Sequence, residues 1–369
     1  MPVLHQLVAG FRQGDAISDE ACLIRDLCSA HGLASDIRCP RGFVNKGDLP
    51  LVRDAETLPD EVRADDVALL HLSSGSLCNR IFANLPCRRI LLYHNITPPR
   101  YFERLAPATA RILEEGLRQA AELRDATDEA WADSSFNASE LRDMGYRDPK
   151  VLPLLLKDTF GRGEIAEWRR DMLSDPPLTN LLFVGRLVPN KRLDRLIAVF
   201  GNYQRYVNPM SRLVIVGAIG GAGGSEAYRA LLLGNAFVYA ARNVLFTDFV
   251  DDANLRACYA SASAFVCMSD HEGFCAPLLE AMAWHVPVFA WDAGAVSETL
   301  DGAGVLFARG TPGEVMAETI GRVLGDSALR AAVIRRQDER LARFRARDQW
   351  KELRTMLGLP DASGAALRD

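Results

Sequence analysis

The sequence predicts an α/β protein made of two doubly wound domains, each a parallel sheet with helices on both faces. Short apolar segments alternate with amphipathic segments along nearly the whole chain, a pattern typical of parallel sheets covered by helices. The alternation is interrupted over residues 157–180 by a segment that ends in a Pro-Pro turn. The length of 369 residues suits about two domains of ordinary size.

The first half contains five predicted strands, with predicted helices between them. The helical segments have apolar residues that recur at spacings of three and four. The strand segments are VLHQLV, VALLHL, RRILLYH, EAWADS and KVLPLLL, and the helical ones include ISDEACLIRDLCSAHG and TARILEEGLRQAAELR. We assign residues 1–160 to an N-terminal Rossmann-like domain on this basis.

The second half repeats the pattern and ends in a long helical segment. Its strand segments are NLLFVG, SRLVIVG, NVLFTDF, SAFVCM, VPVFAW and GVLF. Residues 161–340 are therefore predicted to form a second Rossmann-like domain. The segment LRAAVIRRQDERLARFRARDQWKELRTMLG is helical in pattern and has no strand after it. We therefore expect a C-terminal helix, over residues 341–369, that crosses back to the first domain.

Composition and charge exclude several classes of protein. The formal net charge is −5, whereas nucleic-acid binding requires a basic surface. No run of 18 apolar residues is present, so no membrane-spanning helix is expected. The eight cysteines form no C-x-x-C pair, and the N-terminal residues have no signal-peptide pattern. We therefore expect a cytoplasmic protein with reduced thiols and no bound metal.

The first strand of the second half is followed by a predicted anion site. In open α/β sheets, ligands bind beyond the carboxyl ends of the strands, and LLFVGRLVPNKRLDRLI places Gly185, Arg186 and Lys191 there. Two surface cations at a helix start would oppose the helix dipole. A bound phosphate would make the same cations favourable, and this interpretation is the one we adopt.

The next strand leads into a glycine-rich stretch, VGAIGGAGG, at residues 216–224. Its glycines permit either close backbone approach to a ligand or a loose turn. The stretch does not fit G-x-G-x-x-G, because Glu226 stands where the third glycine would fall. The sequence therefore argues against a standard NAD site.

Two glutamates in HEGFCAPLLEAMAWH, Glu272 and Glu280, are the strongest candidates for ligand contact. Pro277 suits the first turn of a helix, which leaves the backbone N–H groups of residues 273–276 unpaired. Glu272 lies in the preceding loop, whereas Glu280 lies among apolar neighbours and needs a polar partner. The hydroxyls of a ribose would serve. An equally open alternative is that Glu280 pairs with a core arginine and Glu272 caps a loop.

The segment HEGFCAPLLEAMAWHVPVFAWDAGAVSE closely resembles the E-x7-E signature of the retaining glycosyltransferases of family 4, which have the GT-B fold. FVGRLVPNKRLDRLI is similar to the donor-domain motif of the same family. YHNITPPRYF and GDAISDEACLIRD resemble a bacterial polysaccharide-type subgroup. The resemblance implies two Rossmann-like domains that face each other across a cleft, with the nucleotide-sugar donor bound by residues 161–340.

The resemblance also implies roles for residues of the segment HEGFCAPLLEAMAWH. Glu272 would hold hydroxyls of the transferred sugar. Gly273 and Phe274 would present backbone N–H groups beside it, with Cys275 in the same donor-binding loop. Glu280 would bind the ribose of the donor nucleotide.

Further roles follow from the other motifs. Arg186 and Lys191, after Gly185, would bind the diphosphate and neutralise the charge of the leaving group, so that no metal or other cofactor is expected. His94 would face the sugar from the first domain. Without the resemblance, a lone histidine after an apolar strand is more commonly a structural residue. The loop at residues 14–15 (Gly14 and Asp15) would lie near the diphosphate and the acceptor.

The predicted function is transfer of a sugar, with retention, from GDP-mannose or a UDP-sugar to a hydroxyl of a glycan or lipid-linked acceptor, in surface polysaccharide synthesis. The sequence offers no obvious carboxylate nucleophile near His94, and the resemblance to the family implies front-face departure and attack rather than a covalent intermediate. Alternatives are a catalytically silent nucleotide-sugar-binding subunit, a GT-B sugar-nucleotide epimerase, or a phosphorylase, for whose pyridoxal phosphate no convincing lysine is found.

Two charged segments allow competing interpretations. Residues 329–354 carry nine basic and four acidic side chains. They predict either peripheral membrane contact with anionic lipid at the inner face or a solvated helix face packed on the first domain, and we favour the latter. Asp251 and Asp252 precede a helical segment, so we interpret them as an N-cap and dipole pair rather than as a metal site.

Overall fold

The computed structural model describes residues 2–157, 161–217 and 225–360. Within these residues the strands form two sheets, and every recorded strand pairing is parallel. The strands of the first sheet are β1 (Val3–Val8), β2 (Ala34–Cys39), β3 (Arg53–Asp54), β4 (Val67–Leu72), β5 (Arg88–Tyr93), β6 (Glu129–Ala132) and β7 (Lys150–Val151). Those of the second are β8 (Thr179–Val184), β9 (Ser211–Val216), β10 (Val244–Phe246), β11 (Ala264–Cys267), β12 (Val288–Trp291) and β13 (Val305–Phe307).

Helices connect the parallel strands, as parallel pairing requires. In the first half they are α1 (Ala16–Ala30), α2 (Leu58–Glu61), α3 (Leu77–Ala83), α4 (Pro107–Leu123) and α5 (Ser135–Asp143). In the second half they are α6 (Glu167–Ser174), α7 (Leu193–Tyr206), α8 (Ser225–Val238), α9 (Asp252–Ala260), α10 (Pro277–Ala283), α11 (Val296–Leu300), α12 (Gly313–Gly325), α13 (Ser327–Arg345) and α14 (Gln349–Leu357). No helix in the part of the chain that the structure describes is long and apolar enough to cross a bilayer.

The strand order of each sheet creates a natural ligand site at one edge. The first sheet runs β3-β2-β1-β4-β5-β6-β7 and the second β10-β9-β8-β11-β12-β13. The chain leaves β1 toward β2 on one side and later returns to β4 on the other, and it does the same around β8. Loops diverge at such a switch point, and open α/β sheets bind ligands there. The predicted site residues follow β1, β5, β8 and β11, which are the strands at or next to these two points.

The predicted strands omit β2 and the two-residue β3, and they extend β7 too far. β2 was not among the predicted strands because Ser35, Asp36 and Arg38 interrupt its apolar residues. In the fold, the buried Arg38 guanidinium lies 2.7 Å from carboxylates of both Asp36 and Glu61, so its charge is compensated. β7 is shorter than the predicted KVLPLLL, because Pro153 has no N–H to continue the ladder.

The C-terminal segment, predicted as one helix, is two. α13 and α14 are separated at residues 346–348, where the Asp348 carboxylate accepts a hydrogen bond from Lys351 N and caps α14. α13 lies on the second half, where Gln337 bonds both Val286 O and Val288 N. α14 packs on the first half: Leu353 and Leu357 join the core around Trp131.

Candidate functional site

The loops after β8 and β11 are joined by two hydrogen bonds at the edge of the second sheet. Asp270 N donates to Asn190 O over 2.8 Å, and the Asn190 amide donates to His271 O over 3.2 Å. Asn190 belongs to a short 3-10 turn, Pro189–Lys191, that opens α7. These bonds align the two loops so that Lys191 stands beside Glu272.

Lys191 and Glu272 form a buried ion pair. The Lys191 Nζ atom lies 2.7 Å from both carboxylate oxygens of Glu272, and the two side chains are 16% and 7% exposed. Burial disfavours the ammonium, but the attraction of Glu272 outweighs it, so the pKa of Lys191 is raised. Different roles were predicted for Lys191 and Glu272, one in diphosphate binding and one in sugar binding. In the fold their side chains are in direct contact.

Arg186 is a second cation at the end of β8. It is exposed, and its side chain makes no hydrogen bond or ion pair with any residue in the described ranges. The neighbouring strand ends approach closely, since a Cβ on Gly217 would lie 1.9 Å from Gly185 O. Both glycines have positive φ, +154° for Gly185 and +145° for Gly217, a region open mainly to glycine. The rest of the glycine-rich stretch, residues 218–224, lies outside the described residues.

Gly273 brings the second half into contact with the first. A Cβ on Gly273 would lie 2.7 Å from Asn95 Cβ, 2.8 Å from Asn137 Nδ2 and 3.3 Å from His94 O. Only a residue without a side chain lets the loop after β11 approach the loop after β5 so closely. Glu272 and His94 therefore lie on opposite sides of one interdomain contact.

The residues that follow Gly273 differ in what they offer a ligand. Phe274 is 7% exposed and packs in the core against Phe344, so only its backbone is available for a donor. Cys275 is partly exposed and has a φ of +74°, and its Sγ lies 3.9 Å from Cys267 Sγ. Within the described chain, no acceptor is recorded for the backbone N–H groups of residues 273–276.

Glu280 has a tyrosine partner rather than an arginine. The Tyr259 hydroxyl, on α9, donates to Glu280 Oε2 over 2.6 Å. Burial raises the pKa of Glu280, and the acidic side chains of Asp252 and Asp19 act in the same direction. Asp19 belongs to the first half, so Glu280 is oriented toward the cleft.

The loop between β1 and α1 forms the other wall of the cleft near Glu280. Gly14 has a φ of +83° and lies against Phe249 of the second half, at 3.8 Å for a Cβ built on it. Its N–H donates to the Asp19 carboxylate. Asp15 is exposed and is the N-terminal flanking residue of α1, but its side chain makes no capping hydrogen bond. The Arg12 guanidinium lies 4.2 Å from the Phe249 ring, a cation–π contact across the cleft.

His94 is less open than the sequence predicted. Its side chain is 2% exposed, and both ring nitrogens face buried polar groups, so the part nearest the Gly273 loop is its backbone carbonyl. The Nε2 atom lies 2.9 Å from His71 Nδ1 and 3.5 Å from Glu20 Oε2, and Nδ1 lies 3.6 Å from Asp133 Oδ2. Two carboxylates, Glu20 and Asp133, thus lie near His94, and both are buried.

Sequence reasoning missed these neighbours of His94 because they are distant along the chain. Glu20 sits on α1, His71 near the end of β4 and Asp133 just after β6. The signal that was available is polarity: His71, like His94, interrupts an otherwise apolar strand at its carboxyl end. Burial raises the pKa of Glu20 to about 7, although the attraction of His94 works against the rise. The pKa of His94 is also raised, because Asp133 and Glu20 outweigh its burial.

Two groups of side chains have potential metal ligands close together. In Glu20, His71 and His94, and in Cys267, Glu272 and Cys275, the ligand atoms lie within 4.8 Å of one another. In the second group the Lys191 ammonium already occupies Glu272 and repels a cation. Asp251, by contrast, caps α9 by accepting from Asn254 N over 2.8 Å, as predicted.

Comparisons with known proteins agree with this architecture. Residues 164–340 match the family described as Glycosyl transferases group 1. A GDP-mannose-dependent alpha-mannosyltransferase of Mycolicibacterium smegmatis is 38% identical over 112 residues, which cover 30% of this chain and 25% of that protein. A D-inositol 3-phosphate glycosyltransferase 2 of Catenulispora acidiphila is 30% identical over 226 residues, 58% of this chain and 51% of that protein. The chain thus spans a quarter to a half of the length of these curated relatives.

Solved structures establish the fold. A sucrose-phosphate synthase from Thermosynechococcus elongatus superposes with a TM-score of 0.72 at 17% identity, over 97% of this chain and 98% of that one. The Anabaena protein HepE, in complex with UDP and glucose, superposes with a TM-score of 0.71 at 19% identity, over 97% and 99%. The chain has the GT-B fold, which confirms the fold class predicted from the sequence.

Proposed function

We propose that this GT-B chain is a retaining, metal-independent glycosyltransferase that moves a sugar from a nucleoside-diphosphate sugar to a hydroxyl acceptor. The observation that carries the proposal is the buried Lys191–Glu272 pair at the switch point of the second sheet. A buried ion pair contributes little net stability compared with apolar packing. Its position at the carboxyl end of the strands, facing the other domain, favours a role in ligand binding.

Charge neutralisation of the leaving diphosphate is assigned to Arg186 and Lys191. Within the described residues the Arg186 side chain has no ion-pair partner that a diphosphate would have to displace. Glu272 holds Lys191 at the same strand end. A diphosphate would share the Lys191 ammonium, and Glu272 would then turn an oxygen toward sugar hydroxyls. Cations placed before the reaction stabilise the charge that develops as the diphosphate departs.

Glu280 is assigned to the ribose of the donor. One of its carboxylate oxygens accepts from Tyr259, which orients the group and leaves the other oxygen for a hydroxyl. The N–H groups of residues 273–276 would bind sugar or phosphate oxygens. The family match over residues 164–340 covers these donor-side residues and supports their assignment.

Front-face attack with retention is assigned to the transfer step. Glu20 and Asp133 are the carboxylates nearest His94, but they are 1% and 4% exposed and face its ring nitrogens. A nucleophile needs a path to the anomeric carbon, which their burial denies. Mass spectrometry of the intact protein incubated with a 2-fluoro-sugar donor tests this assignment, and a glycosyl group covalently attached to either carboxylate would overturn it.

The donor is proposed to be GDP-mannose or a UDP-sugar, and the acceptor a glycan or lipid-linked hydroxyl of a surface polysaccharide. The relative named as GDP-mannose-dependent supports the first donor. Thermal shifts with UDP, GDP, ADP and dTDP, each with and without magnesium, test the choice. A nucleotide at about a hundred times its dissociation constant adds about 2.7 kcal/mol of stability.

The outcomes of that screen separate the proposals. One base that stabilises the chain without magnesium, together with hydrolysis or transfer of the matching donor, supports the glycosyltransferase. Binding without any turnover would point to a silent binding subunit. No shift with any of the four nucleotides would refute the proposed donor site.

Peripheral contact with anionic membrane is a further proposal, resting on the basic residues of α13 and α14. Several of them, such as Arg335, Arg336 and Arg343, are exposed on α13. Co-sedimentation with vesicles of anionic phospholipid at low salt tests it. Recovery of the chain in the supernatant would refute the contact.

A further inference from the structure

A row of buried polar side chains crosses the first sheet at its carboxyl end. Gln6 lies on β1, His71 on β4 and His94 directly after β5, so neighbouring strands contribute one residue each. Counted over the whole residue, backbone included, their exposed fractions are 0%, 1% and 9%. Buried polar groups are almost always hydrogen-bonded, and in this row each bond can be given a direction.

The donor and acceptor in each bond are fixed by backbone carbonyls at the Gln6 end of the row. The Ser35 hydroxyl donates to Leu4 O over 2.9 Å, so its oxygen accepts from Gln6 Nε2 over 3.2 Å. Gln6 Nε2 also donates to Ala21 O over 3.0 Å. The amide nitrogen of Gln6 is therefore fixed on that side, and its Oε1 acceptor points at His71.

His71 is consequently held in one tautomer. Its Nε2 lies 3.1 Å from Gln6 Oε1 and must carry the hydrogen, since a carbonyl oxygen only accepts. Burial lowers the pKa of His71 well below its usual value, so the ring is neutral. Its Nδ1 then has a lone pair, which accepts a hydrogen bond from His94 Nε2 over 2.9 Å.

His94 must therefore keep a hydrogen on Nε2, and only Nδ1 can gain or lose a proton. The charged or titratable groups around the ring are His71 on β4, Glu20 on α1, Asp133 after β6 and, further away, Asp15 before α1. Asp133 faces Nδ1 at 3.6 Å. Its carboxylate also accepts from Asn137 Nδ2, the amide that abuts Gly273.

We propose that His71 is a positioning residue for His94: it holds the imidazole in the Nε2–H form, with Nδ1 turned toward Asp133. The chain Gln6–His71–His94 determines which ring nitrogen is protonated, and Asp133 and Asn137 carry the arrangement to the interdomain contact. The catalytic consequence of this positioning rests on the proposed glycosyl transfer.

Nuclear magnetic resonance of the full chain with 15N-labelled histidine tests the bond directions without reference to activity. Two-bond 1H–15N correlations distinguish the ring nitrogens of the six histidines. We expect a neutral Nε2–H His71 at pH 6.5 and above, and a His94 whose Nε2 stays protonated throughout. An Nδ1–H tautomer at His71, or a charged His71, would overturn the inference.

Three variants test the positioning. His71→Leu removes the acceptor, and turnover is expected to fall about tenfold or more because the imidazole is misplaced, with the donor KM within about threefold of wild type. His71→Asn restores an acceptor near the Nδ1 position and should recover most of the turnover. His5→Asn is the matched control, a buried histidine on β1 that bonds Asp36 instead, and it should leave turnover unchanged.

The outcomes separate this inference from the proposed function. In His71→Leu, signals of the Nδ1–H tautomer should appear for His94. Wild-type turnover in His71→Leu, or an equal loss in His71→Asn, would refute the positioning role. A wild-type chain that transfers no sugar would refute the proposed function, while the spectra would still decide whether His71 holds His94 in the Nε2–H form.

Discussion

Replacing Glu20 by glutamine is expected to remove one defined contribution to the pH dependence of folding stability between about pH 4.5 and 7. Glu20 is fully enclosed, with 1% of its surface exposed. Its Oε1 accepts from Leu155 N over 2.8 Å, whereas Oε2 has no hydrogen-bond partner in the described chain. Glutamine keeps the first bond and cannot ionise, so the variant removes the titration with little change in shape.

The magnitude follows from the pKa of Glu20. Burial raises it from 4.5 to about 7, and each pKa unit corresponds to about 1.4 kcal/mol, so the full effect is about 3 kcal/mol. The folded state holds the proton that the unfolded state has already lost. This contribution is therefore complete below pH 4.5 and disappears as the pH rises through about 7. Above that pH the wild type folds with a buried, ionised carboxylate.

Urea unfolding followed by circular dichroism, at intervals from pH 5 to 8, measures the effect. The free energy of unfolding of wild type, relative to that of Glu20→Gln, should fall by about 2 kcal/mol or more over this range. Glu318→Gln, an exposed position on α12, is the control and should run parallel to wild type. Parallel curves for Glu20→Gln as well would show that Glu20 does not titrate with a raised pKa.

Three further predictions concern the cleft. Lys191→Ala and Glu272→Ala should each lower turnover roughly a hundredfold, the scale of losing one preplaced charge; steady-state kinetics at wild-type rates would defeat the assignment. Gly273→Ala should weaken donor binding at least tenfold in calorimetry, because a Cβ would lie 2.7 Å from Asn95 Cβ and force the loops apart; unchanged affinity would contradict this. Cys275→Gly should be about 1 kcal/mol more stable than Cys275→Ala in urea, because both lack the thiol and only alanine has a Cβ at positive φ; equal stabilities would count against strain at this position.

The strand pattern was readable because parallel strands buried on both faces are almost continuously apolar. VALLHL and SAFVCM show this, and β4 and β11 lie within them. β2 was missed because its polar residues are compensated partly by Glu61 of α2, a partner that a local window does not contain. The break between α13 and α14 also depended on a partner: Arg347 reaches Pro153 O over 2.8 Å, a contact with the first half that a helical pattern does not indicate.

The residues of the candidate site could also be predicted from the sequence, but their contacts could not. Strand-end position and residue type were sufficient to nominate Arg186, Lys191, Glu272 and Glu280, because the carboxyl ends of parallel strands share one edge of a sheet. Local periodicity predicts elements and their ends. It contains no information about which distant side chains will be within 3 Å of each other.

These contacts could be known only from the tertiary structure. Lys191, Glu272 and Glu280 were already candidates, but the Lys191–Glu272 ion pair and the hydrogen bond from Tyr259 to Glu280 were not predicted. It also surrounded His94 with His71 and two carboxylates from three other elements. Buried charges and imidazoles take their protonation from such neighbours, so the chemistry of this edge depends on side chains that only folding brings together.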